Sequence, residues 1–143
     1  MEKKNMNNKG FSLVELIIVI AIMAVLIGVL APQYLKYVEK SRKSADLDTI
    51  DSMVSAVEIY SADPANSIVT GTITCTSGAV TTDTATAAAL TDAGLPTSGV
   101  TMKSAAYQNW TISFSASGVS FGGTDGAALQ TAMGRASAPV ATP

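Results

Sequence analysis

From Leu16 to Leu35 the chain runs through 20 consecutive residues without a charge, mostly Leu, Ile, Val and Ala. As a helix rising about 1.5 Å per residue, such a run spans about 30 Å, the thickness of a bilayer core. Lys3, Lys4 and Lys9 precede it, so the positive-inside rule leaves residues 1–10 in the cytoplasm and sends the C-terminal part outward. One residue sits badly in this picture. Glu15 lies at the head of the apolar run, and a carboxylate at mid-membrane costs roughly 2.5–3.5 kcal/mol, less near the edge. A secretory signal cut after Ala31, or a plain single-span anchor, gives that acid no purpose.

The remaining composition narrows the function classes. The 143 residues contain no histidine and one cysteine, which removes His-based catalysis, most zinc sites and an internal disulfide. The net charge is −2, so bulk attraction to nucleic acid is not expected. Residues 65–143 are dominated by Ala, Thr, Ser and Gly, and only Asp83, Asp92, Lys103, Asp125 and Arg135 carry charge there. With the apolar N-terminal run, this composition suggests an exported protein. No Gly-rich phosphate loop, metal cluster or partnered nucleophile stands out, so the sequence predicts a non-enzyme without metal or cofactor.

The stretch Lys9-Gly10-Phe11-Ser12-Leu13-Val14-Glu15-Leu16 closely resembles the class III signal of type IV prepilins and their pseudopilin relatives. The resemblance implies that a prepilin peptidase cuts between Gly10 and Phe11 and methylates the new amine on Phe11. It also gives Glu15 a purpose, as the partner of the Phe amine of an already assembled neighbour. Either charge alone is costly to bury, so a subunit neutralises its glutamate only by docking in register. The implied product is a structural subunit, a major pilin, of a type IV pilus. It would wait in the cytoplasmic membrane as a single-pass protein with its C-terminus outside. An assembly ATPase and a membrane platform protein would then lift it into a homo-oligomeric helical filament on the cell surface. A pseudopilin of a secretion or DNA-uptake system is the alternative, and a monomeric membrane-anchored surface domain a more distant one. Many Gram-negative major pilins close a C-terminal loop with two cysteines, which a chain with Cys75 alone cannot do. The calcium-binding acidic loop usual in type II secretion major pseudopilins also has little to match it here, since only Asp125 is available near the C-terminus.

The expected fold is α+β, a long N-terminal helix packed on a small antiparallel sheet. Its divisions are a leader at 1–10, an apolar helix at 11–35, an amphipathic continuation at 36–63 and a β-rich domain at 64–143. Leu47, Ile50, Val54 and Val57 form the apolar stripe of the continuation, and Asp63-Pro64 ends it. Gly28 and Pro32 stand at i and i+4 and weaken the helix by about 1 and about 3 kcal/mol. They predict either a kink or a segment that unwinds in a filament. Lys36, Lys40, Arg42 and Lys43 are followed by Asp46, Asp48 and Asp51. That segregation reads as a solvated face or as pairing between neighbouring subunits. Tyr34, Tyr37 and Tyr60 read as packing or interfacial anchors.

In the last domain, residues 69–75 and 110–116 alternate as half-buried strands, each followed by a Ser-Gly turn. A two-residue loop at Ser117-Gly118 would set Ala116 opposite Val119 and Phe114 opposite Phe121. Short helices are expected at 84–93 and 125–134, and Cys75 falls on the inward parity of its strand. Asn109-Trp110-Thr111 is a formal glycosylation sequon.

Overall fold

The computed structural model describes residues 10–135. The chain divides between Val38 and Glu39 into two compact units. The first contains the start of helix α1 (Leu13–Ala62), which carries Pro32 in its interior. Gly28 and Pro32 lie within this helix, which is assigned without interruption. Proline has no N–H to donate to the Gly28 carbonyl, but one missing bond in a long apolar helix does not end it. From Leu13 to Leu30 the large apolar side chains are between 51% and 74% exposed, so the unit supplies no interior for them.

The second unit is built on the last half of α1 and a four-stranded sheet. Strands β1 (Gly71–Thr76) and β2 (Ala79–Thr82) form one hairpin, and β3 (Trp110–Ser115) and β4 (Gly118–Gly122) another. The sheet order is β2-β1-β3-β4, all antiparallel, with Cys75 opposite Trp110 and Ile73 opposite Ile112 at the central pairing. Helix α2 (Thr84–Asp92) follows the first hairpin and α3 (Gly126–Ala132) the second. Period two carries Ile73, Cys75, Trp110, Ile112 and Phe114 to one face. Ile50, Met53, Val54 and Val57 of α1 join the same buried cluster, as do Leu90 of α2 and Leu129 of α3. The predicted stripe on α1 is therefore correct, and Met53 and Ala56 widen it. Leu47 and Tyr60 are partly buried against the cluster.

The first hairpin turns as expected, with Ser77 at φ 50° and Gly78 at φ 80°. Two positive φ values make a turn whose twist matches the strands it joins. The second hairpin differs from expectation. Its loop residues are Ala116 and Ser117, and Ser115 pairs with Gly118, Phe114 with Val119 and Ile112 with Phe121. The slip is two residues in partner, so every side chain keeps its predicted face. The cause is that Gly118, at φ 119°, takes the positive φ that neither Ala116 nor Ser117 adopts. The Ser115 hydroxyl bridges to the Ser117 hydroxyl at 2.9 Å and to the Gly118 carbonyl at 3.2 Å, which closes the turn.

Asp83 ties α2 to the sheet. Its carboxylate accepts from the amides of Thr72 at 2.6 Å and Thr86 at 2.9 Å and from the Thr86 hydroxyl at 2.8 Å. A Cβ on Gly71 would collide with this carboxylate, which explains the glycine at the start of β1. Partial burial pushes the Asp83 carboxyl up. The amides of Thr86 and Thr72 and the Thr86 hydroxyl outweigh it and hold the group below the ordinary aspartate value of 3.8. A depressed folded value stabilises the protein above the unfolded value, and that contribution is lost as pH falls through the folded one. Asp83→Ala is therefore expected to lower stability by about 1–2 kcal/mol at pH 7. The gap to wild type should narrow below about pH 4 in urea unfolding curves followed by circular dichroism.

Candidate assembly site

The predicted processing site lies at the start of the described chain. Gly10 and Phe11 are exposed, Phe11 to 95%, and their backbone is not helical. The peptide bond between them is thus presented on open backbone, ahead of α1. Ser12 sits at the helix N-cap, where its carbonyl accepts from the Leu16 amide at 3.2 Å. Its hydroxyl accepts from the Val14 amide at 3.3 Å. Glu15 reaches back to accept the Ser12 amide at 2.8 Å. Ser-x-x-Glu at the head of a helix is a capping box, a signal that the sequence reading did not use. Glu15 is exposed, and so are the apolar side chains that follow it, so the carboxylate and the apolar surface are both presented outward.

Gly28 and Pro32 also belong to this unit and lie inside α1, away from the Gly10–Glu15 cluster along the helix. Tyr34 and Tyr37 are 68% and 72% exposed.

In the second unit Asp46 departs from the expected solvated face, while Asp48 and Asp51 of the same helix are exposed. Asp46, read from sequence as part of a solvated face, is 4% exposed. Its carboxylate accepts the Lys103 amide at 3.0 Å and the Ser104 amide at 2.7 Å. Glu39, two helical turns earlier, accepts the Ser104 hydroxyl at 2.7 Å and the Ala105 amide at 2.8 Å. The Ser104 hydroxyl and the Ala105 amide, helped by Arg42 and Lys43 nearby, hold the Glu39 carboxyl below its ordinary value. The loop at 103–105 makes no ladder of its own, so its amides need acceptors, and α1 supplies them. The contact spans 57 residues or more in sequence, which is why no local pattern announced it. Asp46→Ala would leave the Lys103 and Ser104 amides without their acceptor, at a cost of about 2 kcal/mol, readable as a lower urea midpoint with an unchanged slope.

Asp125, the residue considered for a metal, accepts the amides of Gln108 at 3.0 Å and Asn109 at 2.8 Å. The Asn109 side chain in turn accepts the Ser77 amide at 3.0 Å, so the sequon residue is engaged in the turn beside it. Among the described residues no group of three His, Cys, Asp or Glu side chains is placed to hold a metal ion. Cys75 is buried, and burial pushes its thiol up. Arg135 bonds Glu58 through Nη1 and lies 3.5 Å from Asp51 through Nη2, fastening the end of the described chain to α1. A groove of about 630 Å³ opens beside this pair, lined by Ile68, Val69, Phe114, Val119 and Phe121. Its two charged side chains, Glu58 and Arg135, are spent on each other.

Residues 5–31 match the family described as the prokaryotic N-terminal methylation motif. Three type IV major fimbrial proteins FimA of Dichelobacter nodosus are each 40% identical to this chain over 50 residues. That stretch is 35% of this chain and 31–32% of each relative, so the likeness spans about a third of either protein. No solved structure matches significantly. The matched range includes Gly10, Phe11 and Glu15, set apart above by exposure, charge and capping. In its N-terminal segment this chain carries the prokaryotic N-terminal methylation motif and is similar to type IV major fimbrial proteins.

Proposed function

We infer that the chain is the major structural subunit of a type IV pilus, assembled through its N-terminal helix after leader removal. The observation that carries this reading is the coincidence, in one short segment, of three features. These are an exposed non-helical Gly10-Phe11 bond, an exposed Glu15 and a long helix whose apolar side chains are exposed from Leu13 to Leu30. A prepilin peptidase would cut after Gly10 and methylate Phe11. Residues 11–143 would then hold 6 basic and 10 acidic side chains. The subunit would wait in the cytoplasmic membrane, with residues beyond the apolar run outside, until an assembly ATPase and platform protein drive polymerisation. Its own contribution is packing of the apolar half-helix against other copies, which keeps that surface from water once it leaves the bilayer, and pairing of Glu15 with a neighbour's Phe11 amine. In this reading Gly28 and Pro32 mark the segment that unwinds on assembly. The protein is a polymer subunit, and neither an enzyme nor a nucleic-acid binder.

Electron microscopy of material sheared from expressing cells tests the reading against a pseudopilin. The expected result is long surface fibres that contain this chain and vanish when it is deleted. Short fibres confined to the envelope would overturn the pilin assignment in favour of the pseudopilin.

A further inference from the structure

The two outer edges of the sheet are treated differently. Along β2 the Val80 amide donates to the Val100 carbonyl at 3.0 Å, the Met102 amide donates to the Gly78 carbonyl at 2.7 Å, and Ala79 bridges to Thr101. That edge is sealed. β4 forms the other edge. Its loop closes on Ser115 and Gly118, so these two exchange the first pair of bonds, and the alternation sends Ser120 and Gly122 to β3 as well. Val119 and Phe121 therefore turn their backbone groups outward, while their side chains pack on the core. Helix α3 starts against the backbone of Phe121, where a Cβ on Gly126 would sit 3.3 Å from the carbonyl carbon. Val119 is left with an outward N–H and C=O that, among the described residues, bond to nothing. The apolar groove of about 630 Å³ lies beside it, and Ile68 on its wall is 59% exposed.

We propose that residues 136–143, Ala-Ser-Ala-Pro-Val-Ala-Thr-Pro, fill this groove as a fifth, antiparallel strand on β4. These residues lie outside the described ones, and their position in the chain is the first support. Arg135, which precedes them, lines the groove and is held by Glu58 and Asp51 of α1. Length is sufficient, since eight extended residues reach about 26 Å and the five of β4 about 17 Å. Charge also fits. None of the eight is charged, and the groove's own pair, Glu58 and Arg135, is spent on itself, so a charged strand would bury an ion without a partner. Parity is the most specific support. Both prolines, Pro139 and Pro143, fall on odd numbers. With Ala138 and Val140 turned toward β4, the prolines face away, where no N–H is needed. Residues opposite each other in an antiparallel pair share a face, so Ala138 and Val140 then set their side chains on the Val119 side, over the groove. A slip of one residue would bring Pro139 against β4 and carry Val140 to the other face. Outward prolines also blunt the new edge, which keeps copies of the domain from pairing edge to edge. Every residue involved belongs to the second unit, so the N-terminal helix plays no part.

Amide hydrogen exchange, followed by NMR on the full chain in detergent micelles, tests this. The Val119 amide is expected to exchange at least about tenfold more slowly than the loop amide of Ser117. The double variant Ala138→Pro, Val140→Pro removes the N–H groups on the bonding parity and should abolish that protection. The double variant Ser137→Pro, Ala141→Pro removes those of the other parity and should keep it. The Ser120 and Gly122 amides, bonded to β3, should stay protected in all three proteins and report that the domain is folded. Val119 exchanging as fast as Ser117 in the unaltered chain would overturn the proposal. So would protection that both double variants lose, or that both retain. Protection of Val119 that rises with protein concentration would assign the edge to a second copy and overturn it too.

Discussion

Glu15→Leu is expected to reduce surface fibres by at least a hundredfold while the subunit accumulates normally in the membrane fraction. The two halves of that result have separate causes. Leucine removes an acid from the head of an apolar run, where a carboxylate costs up to roughly 2.5–3.5 kcal/mol, so insertion is unharmed or improved. Assembly fails because the neighbour's Phe11 amine is then buried without its partner. Removing one member of a buried pair costs about 3–5 kcal/mol, a factor of a hundred or more in the docking equilibrium. The variant also loses the capping bond from Glu15 to the Ser12 amide, worth about 1 kcal/mol at a helix end. Glu15→Gln separates the two effects, because its amide oxygen can still accept from Ser12 while the charge is gone. Both variants should lose fibres, measured by quantitative immunoblotting of sheared and membrane fractions. Fibres retained in Glu15→Gln would assign the residue to capping and not to registry.

Trp110→Ala is the substitution expected to damage the folded domain most. Trp110 is 1% exposed, opens β3, and stands opposite Cys75 at the centre of the sheet. Its indole N–H donates to the Tyr107 carbonyl at 3.2 Å, so truncation removes both volume and a buried bond. Deleting a buried tryptophan side chain costs about 3–5 kcal/mol. The domain has a single buried cysteine and so no disulfide within itself to offset the loss. Total stabilities of small domains are only about 5–15 kcal/mol, so the variant should melt at least about 10 °C lower or fail to accumulate. Differential scanning calorimetry of the purified chain measures this. A shift of less than about 3 °C would contradict the placement of Trp110 in the core.

What was legible in the sequence followed from local chemistry. Leu47, Ile50, Val54 and Val57 announce a helix face because their spacing is that of a helix. Ser77-Gly78 announces a turn because glycine accepts the positive φ that the turn needs. The methylation motif stands out for the same reason, since a basic leader, Gly10-Phe11 and an acid at the head of an apolar run all fall within a few residues. The misreadings have physical causes as well. The second loop was placed one residue late because Ser117-Gly118 looks like Ser77-Gly78. Yet only Gly118 takes a positive φ there, and that shortens β3 by one residue. Asp46 matches neither a solvated face nor pairing between subunits, because its partners, the Lys103 and Ser104 amides, are distant in the same chain. The pairing of β1 with β3, which joins the hairpins into one sheet, was likewise hidden. Its register is set by Ile73 meeting Ile112 across a long insertion. The Ser12–Glu15 capping box is written in the sequence as Ser-x-x-Glu at the head of the apolar run.

The central claim is that this chain is a processed filament subunit, and its N-terminus is the place to test it. Mass spectrometry of the N-terminal peptide, from protein sheared off the cell surface, should find a peptide that begins at methylated Phe11. A peptide beginning near Pro32, or an intact Met1 on the surface protein, would contradict the account.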